Sequence, residues 1–301
     1  MIGTGPLATE PGPAPSGLLV VDKEPGLTSH DVVARARRLV GTKKVGHSGT
    51  LDPGATGVLL LGIGRATRLL KFLTALPKSY VCEVVLGTET STLDDAGEVT
   101  ARHDMVGVTV EQARAGAAAL TGDILQVPPM VSALKVGGRR LHELAREGVE
   151  VAREARPVTV HRFDVTGEVE PGVLAIEVDC SSGTYVRTLA ADLGAALGGG
   201  AHLRALRRTA IGPFDLSVAR PLEDAVLRPP VDALSWMDAV AVDPDTADLV
   251  RRGRRLVRTG EAVTFEGPGP WAVTDGSSGD LLAVYRSQGD QAVPDVVLAP
   301  G

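Results

Sequence analysis

Between Gly46 and Gly57 the chain reads Gly46-His47-Ser48-Gly49-Thr50-Leu51-Asp52-Pro53-Gly54-Ala55-Thr56-Gly57. Glycines at 46, 49, 54 and 57 permit backbone angles and close approaches that a Cβ forbids, and Pro53 fixes φ and removes a donor. The segment reads as a stiff, open loop carrying one acid, Asp52. The apolar run Val58-Leu59-Leu60-Leu61 follows at once and anchors the loop in a buried strand. Asp-Pro-Gly alone is also an ordinary turn, in which the aspartate bonds its own backbone. An acid on a rigid support equally suits covalent catalysis, where the nucleophile must be in place before the substrate arrives.

The 301 residues, 44% apolar, suffice for one substantial core and a second, small domain. The net charge of -6 argues on its own against a nucleic-acid binder, but the distribution of charge argues differently. Arg35, Arg37, Arg38, Lys43 and Lys44 form an acid-free cluster before the loop, and Arg65, Arg68 and Lys71 follow it. Arg139, Arg140, Arg146, Arg153, Arg156 and Arg162 enrich the middle of the chain. Local patches set the electrostatic footprint for phosphates, although exposed helices are commonly studded with arginine for other reasons. Cys82 and Cys180 have no metal-ligand spacing and read as buried free thiols of a reducing cytosol. Residues 1–16, rich in Pro, Gly and Ala, read as a disordered tail without the features of a signal peptide. No apolar segment is long enough to span a bilayer, so a soluble, cytoplasmic protein is expected.

Local signals place the elements. Leu18–Val21 reads as a buried strand, and Thr28-Ser29-His30-Asp31 as a capping box that opens a helix stopped by Gly41. A helix is expected from about Arg65 to Leu76, halted by Pro77, followed by a strand over Tyr80–Leu86 with Tyr80, Cys82 and Val84 on one face. Thr109-Val110-Glu111-Gln112 caps an alanine-rich helix, and Pro171-Gly172 joins strands over Val158–Glu168 and Val173–Cys180. Ser182-Gly183-Thr184 opens a helix to about Leu197, and Leu206–Ile211 is a further strand. Residues 130–157, arginine-rich, helical in the middle and bounded by prolines, read as an insertion projecting from the body. Strands without regular βαβ alternation predict an α+β fold with a large mixed, mostly antiparallel sheet flanked by helices and loops. After about Ala239, short strands (Ala262–Phe265, Trp271–Thr274, Leu281–Tyr285, Val293–Leu298) alternate with Gly- and Pro-rich turns, the pattern of a small β-barrel.

The twelve-residue loop closely resembles the catalytic loop of the TruB family of tRNA pseudouridine synthases, and further segments resemble that family in the same order. These are Gly17 to Ser29, Lys78-Ser79-Tyr80, Gly87 to Asp94, Pro128 to Lys135, Cys180 to Arg187, and His202 to Arg208. The resemblance implies a pseudouridine synthase fold over 17–238, with an RNA-clasping insertion at about 130–157. It also implies a PUA-like RNA-binding domain over 239–301. The implied reaction converts uridine 55 in the T-loop of tRNA to pseudouridine on a flipped-out nucleotide.

On that reading Asp52 is the nucleophile and Arg187 the guanidinium that keeps it ionised. Tyr80 stacks on the everted uracil and helps remove the C5 proton. Tyr185 and Leu206 line an apolar pocket wall, His47 wedges into the T-loop, and Lys23 adds charge near the phosphates. Isomerisation exchanges nothing with a second molecule, so no metal and no cofactor is expected, and the partner is the T-arm of tRNA bound by a monomer. Val131 and His142 depart from the family pattern, where an aromatic and a tyrosine are expected. Two other readings use the same residues. One is an RNA-binding protein that clasps tRNA without chemistry. The other is a His47/Asp52 hydrolase, which lacks the nucleophile elbow such enzymes carry.

Overall fold

The computed structural model describes residues 15–298, apart from 133, 134, 137, 138, 141–146, 148, 150, 261 and 262. In chain order the strands are β1 (Gly17–Lys23), β2 (Val45–His47), β3 (Thr56–Ile63), β4 (Lys78–Leu86), β5 (Thr88–Thr90), β6 (Val99–Arg102) and β7 (Gly122–Gln126). There follow β8 (Lys135–Val136), β9 (Arg139–Arg140), β10 (Arg156–Glu170), β11 (Val173–Cys180), β12 (Ala201–Ile211) and β13 (Phe214–Asp215). The C-terminal strands are β14 (Asp238–Val242), β15 (Leu256–Val257), β16 (Trp271–Asp275), β17 (Leu281–Gln288) and β18 (Gln291–Val297). The helices are α1 (Ser29–Leu39), α2 (Leu70–Ala75), α3 (Val110–Ala119), α4 (Val186–Ala196) and α5 (Pro244–Arg251).

The large sheet runs β1-β3-β12-β4-β11-β10-β7, with β2 on β3 and β13 on β12. Along this path β3 and β12 are parallel and the other neighbours antiparallel, so the fold is α+β with a mixed, mostly antiparallel sheet. The unbroken apolar run of β3 has a simple cause: its strand is covered on both faces. Leu59, Leu61 and Ile63 join a core with Val32, Val33 and Ala36 of α1, while Val58 and Leu60 join another with Leu69, Leu73 and Phe214. Farther along the sheet, Leu189, Ala190 and Leu193 of α4 and Ala113 and Ala117 of α3 cover Tyr80, Cys82, Ile176 and Val178.

Two helix starts follow the local signals closely. Thr28 caps α1 with the Asp31 carboxylate returning to the Thr28 N–H, and Thr109 and Gln112 do the same for α3. Elsewhere the structure differs. The helix expected from Arg65 begins as a 3-10 turn over Gly64–Leu69 and becomes α-helical only at Leu70. Ser182-Gly183-Thr184 forms a turn, and α4 starts at Val186. β12 begins at Ala201, five residues before the expected strand, because it is the central neighbour of β4 along nearly all of that strand.

Residues from Asp238 form a five-stranded sheet ordered β14-β16-β17-β18-β15, curled as a half-barrel around Phe265, Trp271 and Tyr285. The sequence reading missed α5, although Asp243 caps it and Pro244 occupies its first turn. Of the strand expected at Ala262–Phe265, residue 262 lies outside the described residues and Thr264 makes only a bridge to Thr259. The middle of the 130–157 insertion, with His142, also lies outside the described residues. The outer face of the C-terminal sheet closes the first core, with Ala272, Leu281, Val284, Val296 and Leu298 packed in the same cluster as Leu18 and Leu60. The same junction engages a set of cations expected to face RNA. Arg65 donates to the Leu298 carbonyl at 3.3 Å, Arg68 donates to that of Val297, and Lys71 pairs with Asp295 at 2.5 Å.

The parallel contact between β3 and β12 depends on Gly57. It sits at φ +99 opposite Arg208, and a Cβ there would lie 2.1 Å from the Arg208 carbonyl oxygen. Gly57→Ala is therefore expected to destabilise the protein by about 3 kcal/mol or more, combining backbone strain with a forced opening of the strand pair. Thermal or urea unfolding checks this. A loss below about 1 kcal/mol, the size of an ordinary surface change, would show that the strands part freely.

Candidate active site

The Asp52 loop has almost no ladder of its own. Ser48 N–H reaches the Leu60 carbonyl at 3.0 Å, and the Ala55 N–H closes a turn on the Asp52 carbonyl at 3.1 Å. Side chains from other elements hold the rest. Buried Ser29, at the start of α1, accepts from Leu51 N–H at 2.8 Å and donates to the Leu51 carbonyl at 3.1 Å. The Pro53 carbonyl accepts from Gly26 N–H at 2.8 Å and from Lys23 Nζ at 3.3 Å. From the opposite side Arg208 of β12 donates to the carbonyls of Gly49 (3.3 Å), Thr50 (3.4 Å) and Val58 (2.7 Å).

Asp52 projects from this support with its side chain 42% exposed, and its Oδ2 lies 3.2 Å from Arg187 Nε. Arg187 is 5% exposed and fully engaged: Nη1 donates to the Thr92 carbonyl (3.0 Å) and Asp94 Oδ2 (3.2 Å), and Nη2 to the Val131 carbonyl (2.7 Å). Two carboxylates thus share one guanidinium. Burial pushes the Asp52 carboxyl up, Arg187 pulls it back, Asp94 raises it again and Lys23 lowers it, leaving it above the usual carboxylate value.

A cleft of about 410 Å³ opens over this pair, lined by Asp52, Lys78, Tyr80, Tyr185, Leu206 and Arg208 among others. Strand register assembles much of its floor. Tyr80 of β4 stands opposite Arg208 of β12, and Cys82 stands opposite Leu206. Tyr185 precedes α4, with its backbone clamped by the buried amide of Gln126, which accepts from Tyr185 N–H at 2.7 Å and donates to its carbonyl at 3.1 Å. Burial pushes the Tyr80 phenol up, and the charge of the nearby Arg208 guanidinium pulls it partly back. Burial and the nearby Arg208 lower Lys78 to about 8, while its ammonium donates to the Thr74 and Leu76 carbonyls at 2.7 and 2.6 Å.

Five of the seven residues singled out in the sequence therefore meet at one cleft: Asp52, Arg187, Tyr80, Tyr185 and Leu206. His47 stands apart from the lining, on β2, with its ring edge-on to His30 at 5.4 Å. Lys23 is 1% exposed and donates to the carbonyls of Glu24, Leu27 and Pro53, so it sits beneath the Asp52 turn and not on a phosphate-facing surface. Burial lowers it to about 8. Asp94, Gln126, Lys78 and Arg208 were missed as individual residues. Asp94, Lys78 and Arg208 each lie within segments that carry the family resemblance, which was the available signal. Cys82 and Cys180 are buried and free, with burial pushing their thiols up to about 12 and about 11.

An aspartate held by a buried arginine at the mouth of a cleft, on a large mixed sheet, is the arrangement the resemblance to pseudouridine synthases led one to expect. The TruB family pseudouridylate synthase N-terminal domain matches residues 37–186, and the tRNA pseudouridylate synthase B C-terminal domain matches residues 187–228. Relatives named tRNA pseudouridine synthase B include that of Arthrobacter sp. (strain FB24), 48% identical over 95% of this chain and 97% of its own length. That of Mycobacterium tuberculosis (strain ATCC 25618 / H37Rv) is 45% identical over 94% of this chain and 96% of its own. Among solved structures, one of a Cbf5-Nop10-Gar1 complex superimposes with a TM-score of 0.73 at 26% identity, covering 94% of this chain and 85% of that one. Another, an H/ACA RNP bound to a substrate RNA containing 2′-deoxyuridine, has the same fold at a TM-score of 0.71 and 23% identity, with the same coverage. The chain belongs to the TruB family of pseudouridylate synthases and is an isomerase. Among the described residues no helix is long and apolar enough to cross a membrane.

A raised carboxyl has a defined consequence for stability. The native state favours neutral Asp52 more than the unfolded chain does, so the charged form costs stability at neutral pH and that cost disappears as the pH falls into the ordinary carboxylate range. Asp52→Asn should melt above the parent at pH 7, with the gap closing toward pH 3.8 and below. A variant that melts below the parent at pH 7 would show that the Arg187 pairing outweighs the burial.

Proposed function

We propose that the protein, as a TruB-family enzyme of tRNA pseudouridylation, isomerises uridine 55 in the T-loop of tRNA through a covalent adduct on Asp52. The observation that carries this reading is the 3.2 Å pairing of Asp52 with a buried Arg187 at the mouth of a nucleotide-sized cleft. The identity to relatives named tRNA pseudouridine synthase B over nearly the whole chain supports the choice of substrate.

The chemistry asks little of other molecules. The Asp52 carboxylate adds at ribose C1′ or at uracil C6. In either route the N1–C1′ bond breaks, the base turns over, C5 bonds to C1′, and the bond to Asp52 breaks, returning the carboxylate. The C5 proton is lost and N1 gains one, so atoms and charge balance within a single nucleotide. A base inside a folded loop is stacked, and reaching its glycosidic bond requires eversion at a cost of a few kcal/mol. Tyr80 stacking on the everted uracil returns roughly 1–3 kcal/mol of that cost. Arg187 holds Asp52 ionised against its burial, Tyr185 and Leu206 keep water from the cleaved intermediate, and Tyr80 assists in removing the C5 proton. His47, beside the loop, is the residue to occupy the gap left in the T-loop.

The body over 17–238 carries the chemistry, and residues 239–301 form an RNA-binding unit of PUA type. The insertion at about 130–157 clasps the T-arm, and one copy of the chain acts alone in the cytoplasm. Incubation with unmodified tRNA transcript should give pseudouridine at position 55 and none in a transcript with cytidine there. Asp52→Asn should bind the transcript with parental affinity and form no product. Product from Asp52→Asn would remove the nucleophile, and binding without product from the parent would leave a tRNA-clasping protein. A chain truncated near Ala239 should bind transcript more weakly while the bound-state rate falls less. An unchanged binding constant would remove the RNA-binding role of the C-terminal unit.

A further inference from the structure

Beneath the cleft lies a cation that the chemistry described so far does not use. Arg208 is 1% exposed, and among the described residues no carboxylate pairs with it. A second cation crowds it: the position a Gly49 Cβ would occupy is 3.8 Å from Arg208 Nη1 and 3.9 Å from Lys78 Cε. Keeping an arginine in the interior without an acid is costly, and an apolar or acid-paired residue would be the cheaper solution for stability alone. Its donors go instead to the carbonyls of Gly49, Thr50 and Val58, and its guanidinium lies beside Tyr80, its partner directly across the strand pair.

We infer that Arg208 is a positioning residue for the isomerisation, acting through the Tyr80 hydroxyl. A guanidinium has donors and no acceptor, so in this contact the phenol oxygen must accept. The one phenol proton is then left for another partner, and Tyr80, Arg208 and Asp52 line the same cleft. Tyr80 then passes that proton to uracil N1 and takes the one leaving C5, and the phenolate between the two transfers forms against a fixed positive charge that needs no rearrangement. The same guanidinium grips Gly49 and Thr50, so it sets the distance between the Asp52 loop and Tyr80. Asp52, Cys180 and Arg208 are the titratable groups acting on Tyr80, and the Arg208 charge in turn acts on Lys78 and Lys23.

This inference rests on Tyr80 acting on the substrate, and a double-mutant cycle separates the two. Arg208→Gln and Arg208→Lys would be made in the parent and in Tyr80→Phe. Single-turnover rates would be read at saturating unmodified tRNA transcript, alongside transcript affinity and melting temperature. Arg208→Gln should lower the rate about a hundredfold, the lower range for a positioned proton-transfer group, with affinity unchanged. In the Tyr80→Phe background the same change should cost less than about threefold, because coupled residues are not additive. Arg208→Lys, which keeps charge and donors, should recover part of the parental rate. Equal losses in both backgrounds, or no loss in the parent, would overturn the inference. Should Arg208→Gln fail to fold, Arg208→Lys carries the cycle with the same two outcomes. A parental rate in Tyr80→Phe would instead retire the role of Tyr80 itself, whatever Arg208 does.

Discussion

The Asp52 loop is suspended, and the side chains that suspend it set the geometry of the cleft. A loop of glycine and proline has backbone carbonyls that no ladder can satisfy, and buried carbonyls without partners are costly. Here the partners are Lys23 from β1, Ser29 from α1 and Arg208 from β12, each nearly sealed from solvent. Three polar groups buried for the sake of one loop would be a poor arrangement if stability were the only requirement. It is a good one for holding a carboxylate in a single place before anything binds. Lys23 illustrates the trade: burial draws its pKa down to about 8, and its ammonium is retained by three carbonyls around the turn.

The same tension appears at the acid. One guanidinium faces both Asp52 and Asp94, so neither carboxylate has it alone. Asp94 is well fixed by other means, accepting from Thr92 Oγ1 and from Ala96 N–H, and it follows Leu93, a non-glycine residue at φ 63. Asp52 has no comparable set of donors, and its negative charge is therefore the less satisfied of the two. An incompletely neutralised carboxylate beside a cleft is a better nucleophile than one held in a closed, bidentate pair. The arrangement pairs it without quenching it.

How much of this was legible depends on how far each signal reaches along the chain. Capping boxes at Thr28 and Thr109 span four residues, and they appear in the structure as read. The Asp52 loop and the helix bearing Arg187 were found because each carries its meaning in a contiguous string. What escaped was decided by register. That Arg208 faces Tyr80 follows from the pairing of β12 with β4, which includes two register shifts that no local pattern announces. That Gln126 clamps Tyr185 follows from placing the end of β7 beside the start of α4. His47 and Lys23 were assigned by their strings, and the structure gives them neighbours that the strings could not: His30 for one, backbone carbonyls for the other.

Charge was the least legible property, for the same reason. A count of basic residues treats every arginine as available, yet most have acids or carbonyls waiting in the fold. Arg162 bridges Glu177 and Asp179, Arg204 bridges Glu83 and Glu170, Arg207 meets Asp22, and Arg251 meets Asp248 and Asp275. Arg65, Arg68 and Lys71 tie the body to the C-terminal sheet. Among the described residues, Arg35, Arg38, Lys43 and Lys44 are exposed and without an acid in ion-pairing distance, as are Arg102, Arg156, Arg252, Arg254, Arg255 and Arg286. The first four sit on α1 and the segment leading into β2, so part of the unneutralised positive charge of an acidic chain lies near the loop that holds Asp52. Electrostatic attraction of a polyanion is strongest where opposing charges have not already been matched. For a phosphate backbone approaching this protein, one such place lies beside the Asp52 loop.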